Sequence, residues 1–333
     1  MRVLLIGGTG IISEAVSKLA IKKGFDLYLL NRGKRDEFTP AESKQIITDI
    51  RNIDAAQKAL SGHKFDVVVD FVAFTPEHVA KDVNLFNGKT DQYIFISSAS
   101  AYQKPPVHHI ITESTPLSNP YWQYSRDKIA CEEALINEYR KSGFPVTIVR
   151  PSLTYGDTMI PAAMNSWNHP WSLIDRMKRG KKIIIQGDGT SLWTMTHNTD
   201  FAKGLTGLFG KTTAIGHAFH ITSDEVLTWN QIHEAIANAA GVKPEVVHVP
   251  SDFIIHVSKD YEGTLLGDKS QSAIFDNSKI KSFVPDFVAT MPFSEGVKKS
   301  VAWFKAHPER CTVDASWDEE MDRILEMYER AFL

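Results

Sequence analysis

A tyrosine and a lysine stand four residues apart at Tyr124 and Lys128, in the stretch Tyr124-Ser125-Arg126-Asp127-Lys128. The segment from Tyr121 to Lys141 reads as helix, and a spacing of four puts both side chains on one face, one turn apart. A phenol with its unperturbed pKa of about 10 is a poor acid or base at neutral pH. A cation beside it favours the phenolate and lowers that value. The pair could then pass a proton to or from an alcohol or carbonyl oxygen. Taken alone, the spacing also arises by chance on many helices, so the rest of the chain has to decide.

The elements that would position such a pair begin at the first residues. Arg2 to Ile6 reads as a buried strand. Gly7-Gly8-Thr9-Gly10-Ile11-Ile12-Ser13 follows at once, and Glu14 to Lys23 is compatible with helix. Strand, glycine turn and helix form the context in which a Gly-rich motif binds a dinucleotide. Gly7 permits the tight turn, and Gly10 lets backbone N–H groups approach a pyrophosphate at the helix N-terminus. Ser13 takes the place of the third glycine. The plain alternative is a simple β–α turn.

Asp26 to Leu30 is the second expected strand, and it ends in Asn31-Arg32-Gly33-Lys34-Arg35. An acidic residue there would accept hydrogen bonds from the ribose hydroxyls of NAD. The neutral Asn31 and the guanidinium of Arg32 suit a 2′-phosphate instead. NADP is therefore the expected cofactor, with NAD as the alternative if these cations only form a solvated loop. Lys44 to Thr48, Asp66 to Asp70, Tyr93 to Ser97 and Pro145 to Val149 continue the strands, with helical runs between them. The fourth is nearly all valine, as a strand covered on both faces should be. Ligands in such open sheets sit off the carboxyl ends of the strands, where Ser98 stands.

Composition narrows the class. The chain has 333 residues, 43% of them hydrophobic and 23% charged, with a net charge of −3. Those proportions suit a soluble globular protein and give no electrostatic footprint for nucleic acid or an anionic membrane. Two cysteines, Cys131 and Cys311, suit a reducing compartment rather than a disulfide scaffold. No apolar run approaches membrane-spanning length. The expectation is a cytoplasmic protein with a small-molecule substrate, no nucleic-acid partner and no membrane. No metal site is expected: His108-His109 is adjacent rather than at ligand spacing, and His217 and His220 fall on opposite faces of a likely strand.

The fold class expected is α/β: a Rossmann-type doubly wound parallel sheet with a smaller C-terminal α/β substrate lobe. The Rossmann domain covers 1–155, with 197–222 returning to it; 156–196 and 223–333 form the lobe. From Tyr155 to Thr190 the sequence is irregular and aromatic, suiting either a substrate-covering lobe or a minor core. Lys181 to Ile185, Trp193 to Thr196 and His217 to Thr222 read as strands, Thr228 to Ala240 as helix and Val246 to Val249 as extended. The run Lys178-Arg179-Gly180-Lys181-Lys182 reads as a solvated surface. Ser316 opens a Ser-x-x-Glu capping box with Glu319. The apolar stripe Trp317, Met321, Ile324, Leu325, Tyr328 and Phe332 follows; it suits core packing first and a subunit contact second.

Taken in order, these residues resemble the extended short-chain dehydrogenase/reductase family, in its branch of NAD-dependent epimerases and dehydratases. The resemblance rests on Gly7-Gly8-Thr9-Gly10, Asp49-Ile50, Ser97-Ser98 before Tyr102, Glu113 with Thr115-Pro116, Tyr124 with Lys128, Arg150-Pro151 with Tyr155-Gly156, and Gly187-Asp188-Gly189 with His197 and Asp200. It covers nearly the whole chain. It implies Tyr124 as acid/base, Lys128 as the cation that lowers its pKa and holds the nicotinamide ribose, and Ser98 as the group that orients the substrate oxygen. Asp49 and Ile50 would meet the adenine. Phe71, Val72 and Ala73 would line the cofactor, with Thr9, Ile11, Ile12 and Pro151 completing its site. Ser98, Ser100, Tyr155 and Trp193 would face the substrate. A homodimer through the Tyr124 helix is implied as well.

Departures from the family pattern narrow the expected chemistry. Ala99 and Ser100 stand where dehydratases of the family carry an acid pair, and neither they nor Ala101 supply the glutamate of the decarboxylating members. Trp193 falls where family epimerases carry an arginine for the nucleotide diphosphate, and Leu153 where they carry an asparagine. An indole cannot replace a guanidinium as a bidentate phosphate ligand. The expected substrate is therefore a smaller polyol, free sugar or hydroxy-carbonyl compound, unless Arg176, Lys178 or Arg179 takes over the phosphates. The expected activity is an NAD(P)-dependent oxidoreductase, with a sugar or nucleotide-sugar epimerase of retained cofactor as runner-up. A third reading follows the chloroplast stem-loop RNA-binding relatives, in which the fold serves as an RNA-binding or regulatory module.

Overall fold

Valine, leucine and isoleucine runs stay buried on both faces only where helices cover both sides of a sheet, and that is their setting here. The structure is a computed structural model and describes residues 1–331. Seven strands form one sheet: β1 (Arg2–Ile6), β2 (Asp26–Asn31), β3 (Lys44–Ile47), β4 (Phe65–Asp70), β5 (Thr90–Ile96), β6 (Val146–Pro151) and β7 (Ala218–Ile221). Their order is β7-β6-β5-β4-β1-β2-β3, and every pairing is parallel. Alternate side chains enter two cores. Val3, Leu5, Val67 and Val69 point to one, and Leu4, Ile6 and Val68 to the other. The order reverses between β1 and β4, which opens a crevice at their carboxyl ends.

Three helices carry the residues that matter most. Ser13–Lys22 leaves the glycine turn, and Asn198–Gly207 packs along it. Gln123–Ser142 runs twenty residues and ends at Gly143, whose φ of +78° closes the helix with a left-handed residue.

Beyond β6 the chain builds short two-stranded ladders rather than a second sheet. Lys182–Gln186 pairs with Glu245–Val249, Leu192–Trp193 with Leu227–Thr228, and Met195–His197 with Leu153–Tyr155. One apolar core holds them, including Trp171, Trp193, Trp229, Phe293 and Phe304. Trp317, Met321, Ile324 and Leu325 of the last helix, Ala315–Arg330, are buried in the same core, and Tyr328 packs on Phe253. Phe332 lies outside the described residues. Helix Phe293–Ala306 has no side-chain N-cap and is not among the elements expected from the sequence.

One local expectation needs correction and a second needs refinement. The last helix is capped by Asp314, whose carboxylate accepts from Trp317 N at 3.1 Å, while Ser316 lies inside the first turn and donates to Asp314. A carboxylate outdoes a hydroxyl at this place because it also meets the positive end of the helix dipole. The basic run around Lys181 lies at the surface as expected, but most of its cations are ion-paired. Buried Arg176 bonds Asp318 and Asp322, Arg179 and Lys181 join them, and Lys182 pairs with Glu329. These ion pairs tie the last helix to the lobe and spend the cations far from the crevice.

Candidate functional site

The crevice holds two adjoining cavities. The smaller, about 400 Å³, is lined by Thr9, Gly10, Asn31, Arg32, Asp49 and Ile50, with Lys34, Arg35 and Arg51 around them. The larger, about 490 Å³, continues past Gly7, Ile11, Ile12, Phe71, Val72 and Pro151 to Ser98, Ser100, Tyr124, Lys128 and Trp193. One continuous trough therefore collects residues from the ends of β1, β2, β4, β5 and β6.

The glycine turn is built for close approach. Gly7 has φ +81°, and a Cβ there would stand 2.5 Å from Val72 Cγ1. Ser13, the departure from the glycine pattern, braces the turn. Its hydroxyl donates to Gly7 O at 2.6 Å and accepts from Gly10 N at 2.8 Å. The Gly10 N–H is therefore satisfied inside the turn. Asn198, distant in sequence, fixes the same turn by donating to Ile11 O at 2.7 Å.

At the adenosine end no carboxylate closes β2. Asn31 turns its Oδ1 back to Gly33 N at 2.8 Å, and its Nδ2 is buried without a protein partner. Arg51 donates to Val72 O through one nitrogen, and its Nη1 is buried without a partner. Unpaired buried donors of this kind are costly unless a ligand meets them. The residues present thus fit a dinucleotide: a glycine cradle, free donors and three further cations, Arg32, Lys34 and Arg35.

The reacting end is set by the helix Gln123–Ser142. Lys128 is 1% exposed, and its Nζ donates to Ala73 O at 2.7 Å and Ile96 O at 2.8 Å. Ala73 thus contributes a carbonyl behind the cavity rather than a lining surface. Its loop is held in turn by Asp70, which accepts from Val72 N at 2.5 Å and Ala73 N at 2.8 Å. Desolvation lowers the Lys128 pKa to about 8. The Tyr124 phenol behaves opposite to the expectation. Burial raises its pKa, Asp268 raises it further, and only the neighbouring Ser98 hydroxyl pulls it down. The reason is geometric: the Lys128 ammonium is committed to two carbonyls and lies 5.8 Å from the Tyr124 ring centroid. At neutral pH the phenol holds its proton. Ser98 continues into a hydroxyl chain, Ser98 Oγ to Ser100 Oγ at 2.9 Å and Ser125 Oγ to Ser100 Oγ at 2.8 Å.

The model of the NAD dependent epimerase/dehydratase family matches residues 3–88 and 78–221. The chain belongs to that family. Family membership makes it an enzyme, and no helix among the described residues is long and apolar enough to cross a membrane. Among similar proteins is the chloroplast stem-loop binding protein of 41 kDa b of Arabidopsis thaliana, 27% identical over 267 residues, which are 76% of this chain and 67% of that one. Among solved structures, Pal from Bacillus thuringiensis superposes with TM-score 0.75 at 20% identity, covering 92% of this chain and 100% of that one. UDP-glucuronic acid 4-epimerase from Bacillus cereus, in complex with UDP-glucuronic acid and NAD, gives 0.73 at 19% identity over 92% and 100%. These structural likenesses establish the shared fold.

Within this epimerase/dehydratase framework most of the expected residues meet in the trough. Tyr155 does not. It is 0% exposed, with its ring against His197 and Phe293, and its hydroxyl points at Gly296, where a Cβ would lie 2.0 Å away. It is a core residue behind the cavity. Arg176, Lys178 and Arg179 are absent from the cavity wall, so they do not replace the arginine missing at Trp193. Residues that sequence reasoning missed include Phe74, which lines both cavities with the Lys128 ammonium 4.7 Å from its ring centroid. Trp122 and the pair Asp268-Lys269 were missed too. Asp70, an acid ending a valine strand, was missed as well although its place carried a signal; Asp268 and Lys269 come from a π-helical turn that no periodicity announces.

Proposed function

We propose that the protein is a nicotinamide-dependent oxidoreductase acting at an alcohol or carbonyl carbon of a sugar-like or small hydroxy-carbonyl substrate, with Tyr124 as the acid/base. The observation that carries this reading is the meeting of Ser98, Tyr124 and Lys128 with the glycine turn in one continuous trough. When bound, the nicotinamide supplies or accepts the hydride, and the protein's part is alignment and proton handling. Tyr124, with its raised pKa, is poised to donate a proton to a forming alkoxide. Ser98 orients the same oxygen. Lys128 braces the ends of β4 and β5 around the site and keeps a cation near the ribose.

Within this reading NADP is preferred over NAD, supported by Asn31 in place of an acid and by Arg32, Lys34 and Arg35 around the smaller cavity. A nucleotide sugar is disfavoured: Trp193 occupies the wall, and the larger cavity's lining holds no arginine among the described residues. A cytoplasmic setting agrees with two unpaired cysteines, and a homodimer through Gln123–Ser142 follows from the family resemblance. The runner-up is an epimerase that retains its cofactor.

The test is a screen of polyols and hydroxy-carbonyl compounds followed at the nicotinamide absorbance band. Steady consumption of added NADPH supports the reductase; turnover of a sugar with no net redox change would replace it with the epimerase. The Tyr124→Phe variant should lose about 10²–10⁴-fold in turnover while binding cofactor normally. The similar stem-loop binding protein favours one second reading, a binding module. Stem-loop RNA capture by wild type and by Tyr124→Phe alike, with no turnover in either, would establish that reading instead.

A further inference from the structure

The wall of the larger cavity holds charge that hydride transfer does not use. Lys269 Nζ donates to Asp268 Oδ2 at 2.8 Å. Lys104, far away in sequence, donates to the Asp268 backbone carbonyl at 3.2 Å and sits 3.9 Å from Oδ1. Lys104 is 4% exposed and Lys269 2%. The charged groups acting on Lys104 are Asp268 and Lys269. Two buried ammonium groups thus share one carboxylate, and an uncompensated cation inside a protein is expensive.

Position gives that charge a purpose. Asp268 and Lys269 line the same cavity as Tyr124. The Lys269 ammonium lies 5.8 Å from the Trp122 ring centroid, and Trp122 stands 5.0 Å from the Tyr124 ring. The pair is carried on a π-helical turn, Leu265–Lys269, a geometry that concentrates at functional sites. Trp193, whose indole N–H has no protein partner, joins the same wall; the Lys104 ammonium lies 5.8 Å from its ring centroid. The remaining surface is largely apolar, with Leu153 and Met159 facing the cavity. Such a pocket takes a short carbon skeleton with one charged end.

We propose that Lys269 on the cavity wall, with Lys104 behind it sharing Asp268, binds a carboxylate of the substrate, so that the enzyme acts on hydroxy or oxo acids whose carboxylate lies close to the reacting carbon. This rests on the oxidoreductase reading of the same cavity and names its substrate class. Asp268 offsets one of the two ammonium charges and competes for them, and the ligand's carboxylate meets the remaining charge through charge-assisted hydrogen bonds. One excess positive charge balances a carboxylate and falls short of a dianionic phosphate.

The test is calorimetric titration of the cofactor-saturated protein with matched pairs, gluconate against glucitol and glycerate against glycerol, with glucose 6-phosphate as a separate arm. At least one acid should bind tenfold or more tightly than its neutral partner, and more tightly than the phosphate. Lys269→Met should bring the acid to the level of the neutral compound. Asp268→Asn should tighten the acid about threefold, because a competing carboxylate is gone; a purely structural cluster would show weakening instead. Cofactor binding and thermal melting of each variant establish that it is folded. Equal binding within every pair, preference for the phosphate, or loosened acid binding in Asp268→Asn would each overturn the proposal. Normal cofactor binding with Tyr124-dependent turnover of neutral substrates would overturn it alone and leave the oxidoreductase reading standing. Acid binding without any turnover would do the reverse.

Discussion

Lys128 offers a test in which sign and size both follow from its surroundings. Its folded pKa is about 8 because burial penalises the ammonium, against about 10.4 in an unfolded chain. Between those values the unfolded state binds more protons, so stability must rise with pH across the window from about 8 to 10.4. Working the linkage from pH 7 to 9.5 gives a gain of about 2 kcal/mol from this one group. Lys128→Met removes it. The variant also strands Ala73 O and Ile96 O, at about 1–3 kcal/mol each, and escapes a burial penalty of about 3 kcal/mol. Those effects nearly cancel near neutral pH, so the level of stability is a poor witness and the slope is a good one. Urea unfolding of the unliganded protein at pH 7, 8, 9 and 9.5 measures it, and other titrating groups drop out of the difference between wild type and variant. Wild type should gain about 2 kcal/mol on the variant over that range. Parallel slopes would refute the claim that Lys128 is held as a desolvated cation.

Three further outcomes are expected. Arg32→Ala should weaken NADPH about tenfold, roughly 1.4 kcal/mol, while leaving NADH within about twofold by fluorescence titration; equal losses would remove the 2′-phosphate assignment. Gly7→Ala forces a non-glycine residue to φ +81° and a Cβ to 2.5 Å from Val72, so dinucleotide binding should disappear in a chain that still shows the helical circular dichroism of the wild type. At the last helix, burial opposes ionisation of Asp318, but Arg179, Lys181 and Arg176 together hold its carboxyl well below the usual range. That contribution is complete above the ordinary carboxylate pKa of about 3.9 and is lost as pH falls below it. Asp318→Asn should therefore flatten the acid limb of the stability curve, and Arg176→Ala, which leaves Asp318 paired only with the partly exposed Arg179 and Lys181, should cost about 1–3 kcal/mol by chemical denaturation.

The sheet and the meeting of the expected residues in one trough were legible because their signals are local. A valine run such as Val67-Val68-Val69 is buried on both faces for reasons that its own composition states, and the glycine turn follows its strand without a gap. Tyr124 and Lys128 were legible because four residues make one helical turn. What escaped depends on partners distant in the chain. Lys128 points at two carbonyls, one in the loop after β4 and one at the end of β5, so spacing alone could not tell that the Tyr124 pKa would be raised. Ser13 looked like a lost glycine until its hydroxyl was seen bridging Gly7 and Gly10. Lys104 and Lys269 lie far apart in sequence and meet only at Asp268. Tyr155 failed in the other direction: its motif neighbours suggested a ligand contact, yet Phe293 and His197 claim its ring.

The measurement that bears most directly on the whole account is the structure of this protein with NADPH bound. The adenosine end should lie among Asn31, Arg32 and Asp49, and the nicotinamide C4 should face the same side of the cavity as the Tyr124 hydroxyl, with room for a substrate carbon about 3–3.5 Å from both. A nicotinamide ring turned away from Tyr124, or a dinucleotide that does not enter the trough, would contradict it.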